Sequence, residues 1–446
     1  MEIFVDRERE LEALERCWLE RPCFVVVYGR RRIGKTRLVK EFLKGRKHVY
    51  FFAQLTNHRD NLRRLASAVA DALGFEELKS MEFESLDKLL TLVARFEKDL
   101  VVVLDEFSYW VRVAPRVLSE LQLFVDEVLP NTKMMLVVVG SVYTVMVKEI
   151  LSGGSPLYGR AKAKLLVKEL DPLYIKEFVP RYSPEDRVRI YALFGGVPYY
   201  LRLIDDRKSL RENVKDLILA PYAPLRYEKD FVLREEFRDV HTYNAILSAI
   251  AKGFDTPSRI ADVLGLDRGY VAKCLYILEE LNIVSREVPL FSRRALRYVI
   301  SDPILRTWYN IVEPVLHLLE LELVDEALEI VMRRLDNYVA KVFEELVRRI
   351  LFQIYAKQGF TEVGRVVHRG EEIDIVFLDP ERRRAIAVEV KWSDVKYEEA
   401  LRELRKLQNK AFRLLSGYTI EKTMLVVRSV EDSKPSDVLT VRDLGI

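Results

Sequence analysis

Cysteine is scarce: Cys17, Cys23 and Cys274 are the only three in 446 residues. None has metal-like spacing and the odd count makes no disulfide framework, so the expected compartment is a reducing cytoplasm. Long apolar runs are absent as well. No stretch approaches the roughly 20 residues of a membrane span, and residues 1–8, acidic-basic in character, lack a signal-peptide core; no membrane partner is expected. Neither sign of charge dominates, because 72 Lys and Arg face 69 Asp and Glu for a formal net charge of +3. That balance permits nucleic-acid binding without arguing for it, so partners have to be read from local clusters. What remains is 49% hydrophobic and 32% charged, a globular composition long enough for two to four domains.

One stretch near the start organises the rest. The apolar run Cys23-Phe24-Val25-Val26-Val27-Tyr28 leads into Gly29-Arg30-Arg31-Arg32-Ile33-Gly34-Lys35-Thr36, and Arg37 onward has helical character. Strand, glycine-framed loop and helix start in this order make a phosphate-binding loop. The glycines let backbone N–H groups close around phosphate oxygens, and the helix dipole favours negative charge there. Lys35 is expected to reach the β- and γ-phosphates of a nucleoside triphosphate, and the Thr36 hydroxyl to sit on Mg²⁺.

Residues 1–170 alternate apolar runs with helical patterns, which predicts a parallel sheet with helices on both faces. Strands are expected at 24–28, 48–54, 100–105, 134–140 and 163–167. The third ends in Asp105-Glu106, delivering two carboxylates where open α/β sheets bind ligands. Asp105 fits the Mg²⁺-holding role and Glu106 the polarisation of attacking water. Ser141, after the fourth strand, either senses the γ-phosphate or caps the next helix. Arg160 follows a turn-rich segment, 153–159; it either stabilises charge on a phosphoryl group bound by a neighbouring copy in a homo-oligomer, or is a salt-bridged surface residue.

Phe4-Val5-Asp6-Arg7-Glu8, the basic Gly-Arg-Arg-Arg-Ile-Gly-Lys-Thr loop, Asp105-Glu106-Phe107 and Pro156-Leu157-Tyr158-Gly159-Arg160 resemble the archaeal ATPase family within the AAA+/STAND group of P-loop ATPases. Gly195-Gly196-Val197-Pro198 matches that family's Gly-Gly-x-Pro signature. The resemblance implies ATP as the nucleotide, Asp6 and Arg7 near the adenine, and a helical lid over 171–238 carrying Pro198. Read physically, the two glycines and Pro198 break two helical segments, as a hinge or as a plain turn.

Residues 239–302 change to short helices followed by two strands, expected as a winged helix-turn-helix. Its second helix offers Arg268, Tyr270 and Lys273, and Arg293, Arg294 and Arg297 crowd the wing, a set suited to phosphate contacts with nucleic acid, DNA favoured. The other possibility is a domain spacer. Residues 303–336 are expected as a helical connector.

Residues 337–446 hold a second chemical pattern. A helix with Phe343-Glu344-Glu345 precedes a strand with Glu372-Ile373-Asp374 and another with Glu389-Val390-Lys391. Residues two apart on a strand share a face, so Glu389 and Lys391 point together and Asp374 on the hairpin partner can face them, with Glu344 completing the group. Asp374, Glu389 and Glu344 would hold Mg²⁺, and Lys391 would position the nucleophile or neutralise charge in phosphodiester cleavage. The plainer alternative is a hairpin with a charged, solvated face. The pattern resembles the PD-(D/E)xK nuclease superfamily in the variant attached to archaeal ATPases, implying a restriction-endonuclease-like α/β domain.

The expected whole is therefore an α/β P-loop ATPase with parallel sheet and helical lid, then a winged helix-turn-helix, then the nuclease-like domain. ATP state would be coupled to a nucleic-acid-directed effector. The competing expectations are a STAND-like signalling switch and an ATP-gated DNA-binding regulator, each with an inert C-terminal domain.

Overall fold

The computed structural model describes residues 3–237, 239–291, 296–431 and 433–446. Contacts divide the chain into two units: residues 1–170 with Val197–Tyr199, and residues 171–196 with 200–446.

The first unit is built on five parallel strands, β1 (Cys23–Tyr28), β2 (His48–Phe52), β3 (Val101–Asp105), β4 (Met135–Gly140) and β5 (Ala163–Leu166), in the order β2-β3-β4-β1-β5. Their unbroken apolar runs are explained by helices on both faces. Phe24, Val26, Val102, Leu104, Leu136 and Val138 enter one core, and Val25, Val27, Val101, Val103, Val137 and Val139 the other. The strands lie within two residues of the positions expected from sequence. Tyr28 and Gly140, at the C-terminal ends of β1 and β4, are register partners, and β3 joins the other side of β4. The ends of three strands thus surround the loop at 29–36, the crevice where such sheets take ligands.

The second unit contains helices Pro184–Phe194 and Glu228–Glu236, then helices Val240–Ala251, Pro257–Leu264 and Arg268–Glu280. Local chemistry sets the last two. Thr256 and Asp267 accept from the backbone N–H groups of Arg259 and Tyr270 as N-caps, and Gly265 ends the first of them at φ 66°. An antiparallel pair follows, β6 (Val284–Glu287) and β7 (Arg297–Ile300). Arg293 and Arg294 lie outside the described residues.

Instead of a connector followed by a separate helix, the chain forms one 32-residue helix, Val324–Tyr355, running unbroken past residue 336. A mixed sheet follows, β8 (Glu362–His368), β9 (Glu371–Asp379), β10 (Arg384–Val395), β11 (Thr419–Val430) and β12 (Val438–Thr440), ordered β12-β11-β10-β9-β8. β8, β9 and β10 are antiparallel, whereas β10, β11 and β12 are parallel. The crossover helix Tyr397–Leu414 packs Leu407 and Ala411 on one face. Phe352 and Tyr355 of the long helix meet Phe377 on the other.

Among the described residues no helix is long and apolar enough to cross a membrane.

Candidate functional site

The loop after β1 folds through three residues of positive φ: Gly29 (146°), Arg32 (68°) and Gly34 (94°). At Gly29 a Cβ would stand 2.4 Å from the Val167 carbonyl oxygen, so only glycine fits. Gly34 precedes helix Lys35–Phe42, whose first N–H groups have no intrahelical acceptor and are available to phosphate. Lys35 is buried, and its Nζ donates to the Arg30 carbonyl at 2.7 Å, inside the loop it would serve. Arg30 pairs with Glu169 at 3.7 Å, Arg37 with Glu41 at 3.6 Å, and the Arg32 guanidinium lies over the Tyr199 ring at 4.5 Å. Pro198 approaches the loop itself, 3.9 Å from where a Gly34 Cβ would be.

Asp6 takes φ 56° and turns Arg7 inward. Arg7 is 4% exposed. It donates to the carbonyls of Asp6 (2.9 Å), Ile33 (3.0 Å) and Lys168 (2.8 Å), bracing the loop against the chain leaving β5. Burial pulls its pKa down, against the neighbouring Glu10, Asp6 and Glu8 charges.

The two carboxylates after β3 divide their work. Thr36 Oγ1 donates to Asp105 Oδ2 at 2.7 Å. This hydroxyl–carboxylate pair, at a phosphate loop, is the hard-oxygen donor set Mg²⁺ takes, so the residues fit that ion. Tyr50 Oη also donates to Asp105 Oδ2, at 2.5 Å. Glu106 adopts the left-handed conformation, φ 50° and ψ 37°, an unfavourable choice for a residue with a Cβ. Its Oε2 accepts from Ser141 Oγ at 2.7 Å and Ser141 N at 3.2 Å. Burial raises its pKa, partly offset by the Lys35 charge and the Ser141 bonds. Ser141 is not a helix cap: the next helix starts at Tyr143 with Val142 as its cap position. Arg160 makes a two-point ion pair with Asp126, Nε–Oδ1 2.7 Å and Nη2–Oδ2 2.8 Å, the salt-bridged arrangement of the two expected.

In the second unit, β9 carries one more residue than β8 between the pairs Gly364↔Val376 and Val366↔Ile373. This irregularity lies at Asp374, whose Oδ2 accepts from Val390 N at 2.8 Å. Burial and the Glu389 charge push Asp374 up to about 6. Burial and the Asp374 charge push Glu344 up to about 7. Glu389 and Lys391 both meet the crossover helix, Lys410 Nζ lying 2.8 Å from Glu389 Oε2 and Lys391 Nζ 2.5 Å from Glu403 Oε2. Asp374 and Glu344 are thus brought together as charge neighbours, while Glu389 and Lys391 are each neutralised by a helix partner. Among the described residues no group of three His, Cys, Asp or Glu is arranged to hold a metal ion. The donors that fit a hard dication are two, Glu344 and Asp374.

Residues 4–204 match the pattern of an "ATPase domain predominantly from Archaea". Over 446 residues the chain is 33% identical to an uncharacterized protein of Methanocaldococcus jannaschii, covering 98% of each. It belongs to the archaeal ATPase family. A 46-residue segment is also 52% identical to an uncharacterized ATP-binding protein of the same organism, covering 10% of this chain and 78% of the other. Residues 308–403 match archaeal and bacterial proteins of unknown function. The Walker-type ATPase of Pyrococcus abyssi shares the fold, with TM-score 0.53 and 23% identity over 69% of this chain and 96% of that one.

For this archaeal ATPase the expected nucleic-acid residues divide. Arg268 is exposed, 3.3 Å from Asp262, and Lys273 is exposed on the same helix. Arg297 does not project into solvent as expected of a wing residue. It is half-buried and its Nε donates to Glu287 Oε2 at 2.6 Å, because β7 turns it toward the carboxylates of the neighbouring cleft. Sequence reasoning missed Tyr50; its signal was a hydroxyl in an otherwise apolar edge strand, in register with Val103 near the end of β3. It also missed the buried set in which Trp110 Nε1 donates to His58 Nδ1 at 3.0 Å and His58 Nε2 lies 3.2 Å from Glu120.

Proposed function

We propose that this archaeal ATPase hydrolyses ATP with Mg²⁺ and uses the nucleotide state to control a nucleic-acid-directed second unit. Thr36 and Asp105 would hold the ion, which offsets phosphate charge. Lys35 would exchange the Arg30 carbonyl for phosphate oxygens, and Glu106, oriented by Ser141, would take the proton of the attacking water. The observation that carries this reading is the Ser141–Glu106 bond beside the Thr36–Asp105 bond: one carboxylate placed for an ion, the other raised in pKa for a base. Glu106→Gln should abolish turnover, by at least about 10²-fold, while ATP still binds. A variant hydrolysing at the parent rate would reject the assignment. A contribution of Arg160 to a neighbouring copy would require phosphate to replace Asp126.

For the second unit the proposal is metal-dependent phosphodiester cleavage, DNA favoured. Glu344 and Asp374 would bind the cation, Glu389 would join them, and Lys391 would offset charge on the reacting phosphate. Helices Val240–Ala251 through Arg268–Glu280 with β6 and β7 are read as a winged helix, Arg268 and Lys273 contacting phosphates. Support comes from the two neighbouring carboxylates of raised pKa beside a Glu-x-Lys strand. A second reading, a regulatory switch whose C-terminal domain binds without cutting, draws on the ion pairs that occupy Glu389 and Lys391. Incubating parent and Asp374→Ala proteins with mixed nucleic acids, Mg²⁺ or Mn²⁺, and ATP present or absent separates the two. Cleavage lost in the variant favours the nuclease, and binding without cleavage in both favours the switch. The cytoplasm is the proposed compartment.

A further inference from the structure

The hairpin of the three-helix segment is docked onto the C-terminal sheet. Leu290, just after β6, donates its N–H to the Arg365 carbonyl at 2.8 Å and pairs with Val366 of β8 as an isolated parallel bridge. Its side chain packs against the core of the sheet. Opposite it β8 has Gly364, where a Cβ would stand 3.0 Å from Leu290 Cγ. Phe291 meets Tyr418 with ring centroids 6.0 Å apart. Hydrogen bond, apolar contact and a missing side chain together form a built seat.

Beside this seat lies a cleft of about 470 Å³ whose walls include Glu287 and Arg297 from the hairpin, Glu344 and Arg348 from the long helix, and Glu372 and Asp374 from β9. The charges facing Arg297 are Glu287, Glu344 and Glu372. Arg348 stands 3.9 Å from Glu287. Lys410 closes the far side, reaching both Glu389 Oε2 and the Glu372 carbonyl at 2.8 Å. The chain's own cations therefore hold the acidic groups that a divalent ion would gather.

We propose that the β6–β7 hairpin is an intramolecular cover for the Glu344–Asp374 cleft, with Arg297 supplying charge that a bound divalent cation must displace. This rests on the reading of Glu344 and Asp374 as cation ligands. While the hairpin is seated, Arg297 competes with the ion and the hairpin stands between the carboxylates and a large substrate. When it lifts at Leu290, both obstacles leave together.

The test is a Mn²⁺ titration followed by electron paramagnetic resonance, on the full chain without nucleotide and carrying Asp105→Asn to remove a first-unit ligand. Arg297→Gln should bind Mn²⁺ about tenfold more tightly than this parent, since one opposing charge is gone. Arg297→Lys, keeping the charge, should resemble the parent. Leu290→Asp, which unseats the hairpin without altering the cleft, should give a gain like that of Arg297→Gln. Adding Asp374→Asn should cancel the gain in either variant. If Arg297→Gln binds as the parent does while Asp374→Asn weakens both, the metal site stands and the cover is overturned. A gain in Arg297→Gln with none in Leu290→Asp also overturns the cover, leaving a charge effect alone. If Asp374→Asn changes binding in no background, the metal site itself fails and the cover with it. Circular dichroism matching the parent identifies the variants that have folded.

Discussion

At the scale of single residues, the most informative is Glu106. A left-handed backbone at a glutamate persists only where its surroundings over-determine it, and Ser141 supplies two of those constraints. The serine bonds lower the Glu106 pKa while burial raises it. Ser141→Ala should therefore reduce kcat, by about tenfold, and move the acidic limb of the pH–rate profile to higher pH, because the base would ionise later. An unmoved limb would leave Ser141 a packing residue only. Asp374 and Glu344 make the second residue-scale case. Their pKa values of about 6 and about 7 lie above the ordinary carboxylate range, so the folded chain holds these protons more tightly than the unfolded one. The associated stability is full below about pH 4, where both states are protonated, and is lost as pH rises to about 7. Glu344→Gln should raise the urea midpoint at pH 8, corresponding to about 1–2 kcal/mol, and leave it nearly unchanged at pH 4. A midpoint shift independent of pH would contradict the electrostatic account.

At the scale of elements, the nucleotide loop depends on backbone more than on charge. Gly29→Ala should cost about 2–4 kcal/mol and abolish nucleotide binding, because its methyl group would collide with the Val167 carbonyl. Retained binding would mean that β1 and the chain after β5 can separate. The loop was legible in the sequence because its function fixes glycine spacing, and the parallel strands because burial on both faces demands unbroken apolar runs. The site around Asp374 was less so. The alternation that pairs Glu389 with Lys391 holds along β10, but it assumes a strand without extra residues, and β9 has one at Asp374. Helix Val324–Tyr355 was divided because Arg333-Arg334 and Asp336-Asn337 interrupt its apolar pattern. Those charges serve contacts within the unit: Asp336 bonds Arg189 at 2.8 Å and Arg428 at 2.9 Å. Partners distant in sequence leave no mark on local periodicity, which is also why Arg7 as a brace and Ser141 as a holder of Glu106 could not be assigned from spacing.

At the scale of the whole molecule, the lid region is divided between the units. Val197–Tyr199 belongs with the loop it touches, and helix Pro184–Phe194 with the second unit. The end of that helix is gripped there: Tyr338 Oη donates to the Ala192 carbonyl at 2.8 Å and Thr307 Oγ1 to that of Leu193 at 2.7 Å. Gly195 and Gly196 are therefore the covalent step from one unit to the other, with Gly195 at φ 63°. If nucleotide state is transmitted across that step, Lys35→Ala should change nucleic-acid binding or cleavage by the second unit as well as ATP turnover. Identical nucleic-acid behaviour in parent and variant, with and without ATP, would make the units independent.

The long helix has a further consequence. At about 1.5 Å per residue its 32 residues span about 48 Å. Asp325 meets Lys215 near its start, Asp336 sits between two arginines in its middle, and Glu344 faces the cleft further on. An unbroken helix cannot absorb torsion locally, so these three stations share a single angular phase. One residue inserted between Asp336 and Glu344 would turn everything beyond it by about 100°, swinging the carboxylate away from Asp374 without altering any residue of the cleft. The helix thus works as a shaft: its length is free to vary only by whole turns, and its apparent connector half is a timing element for the site at the other end.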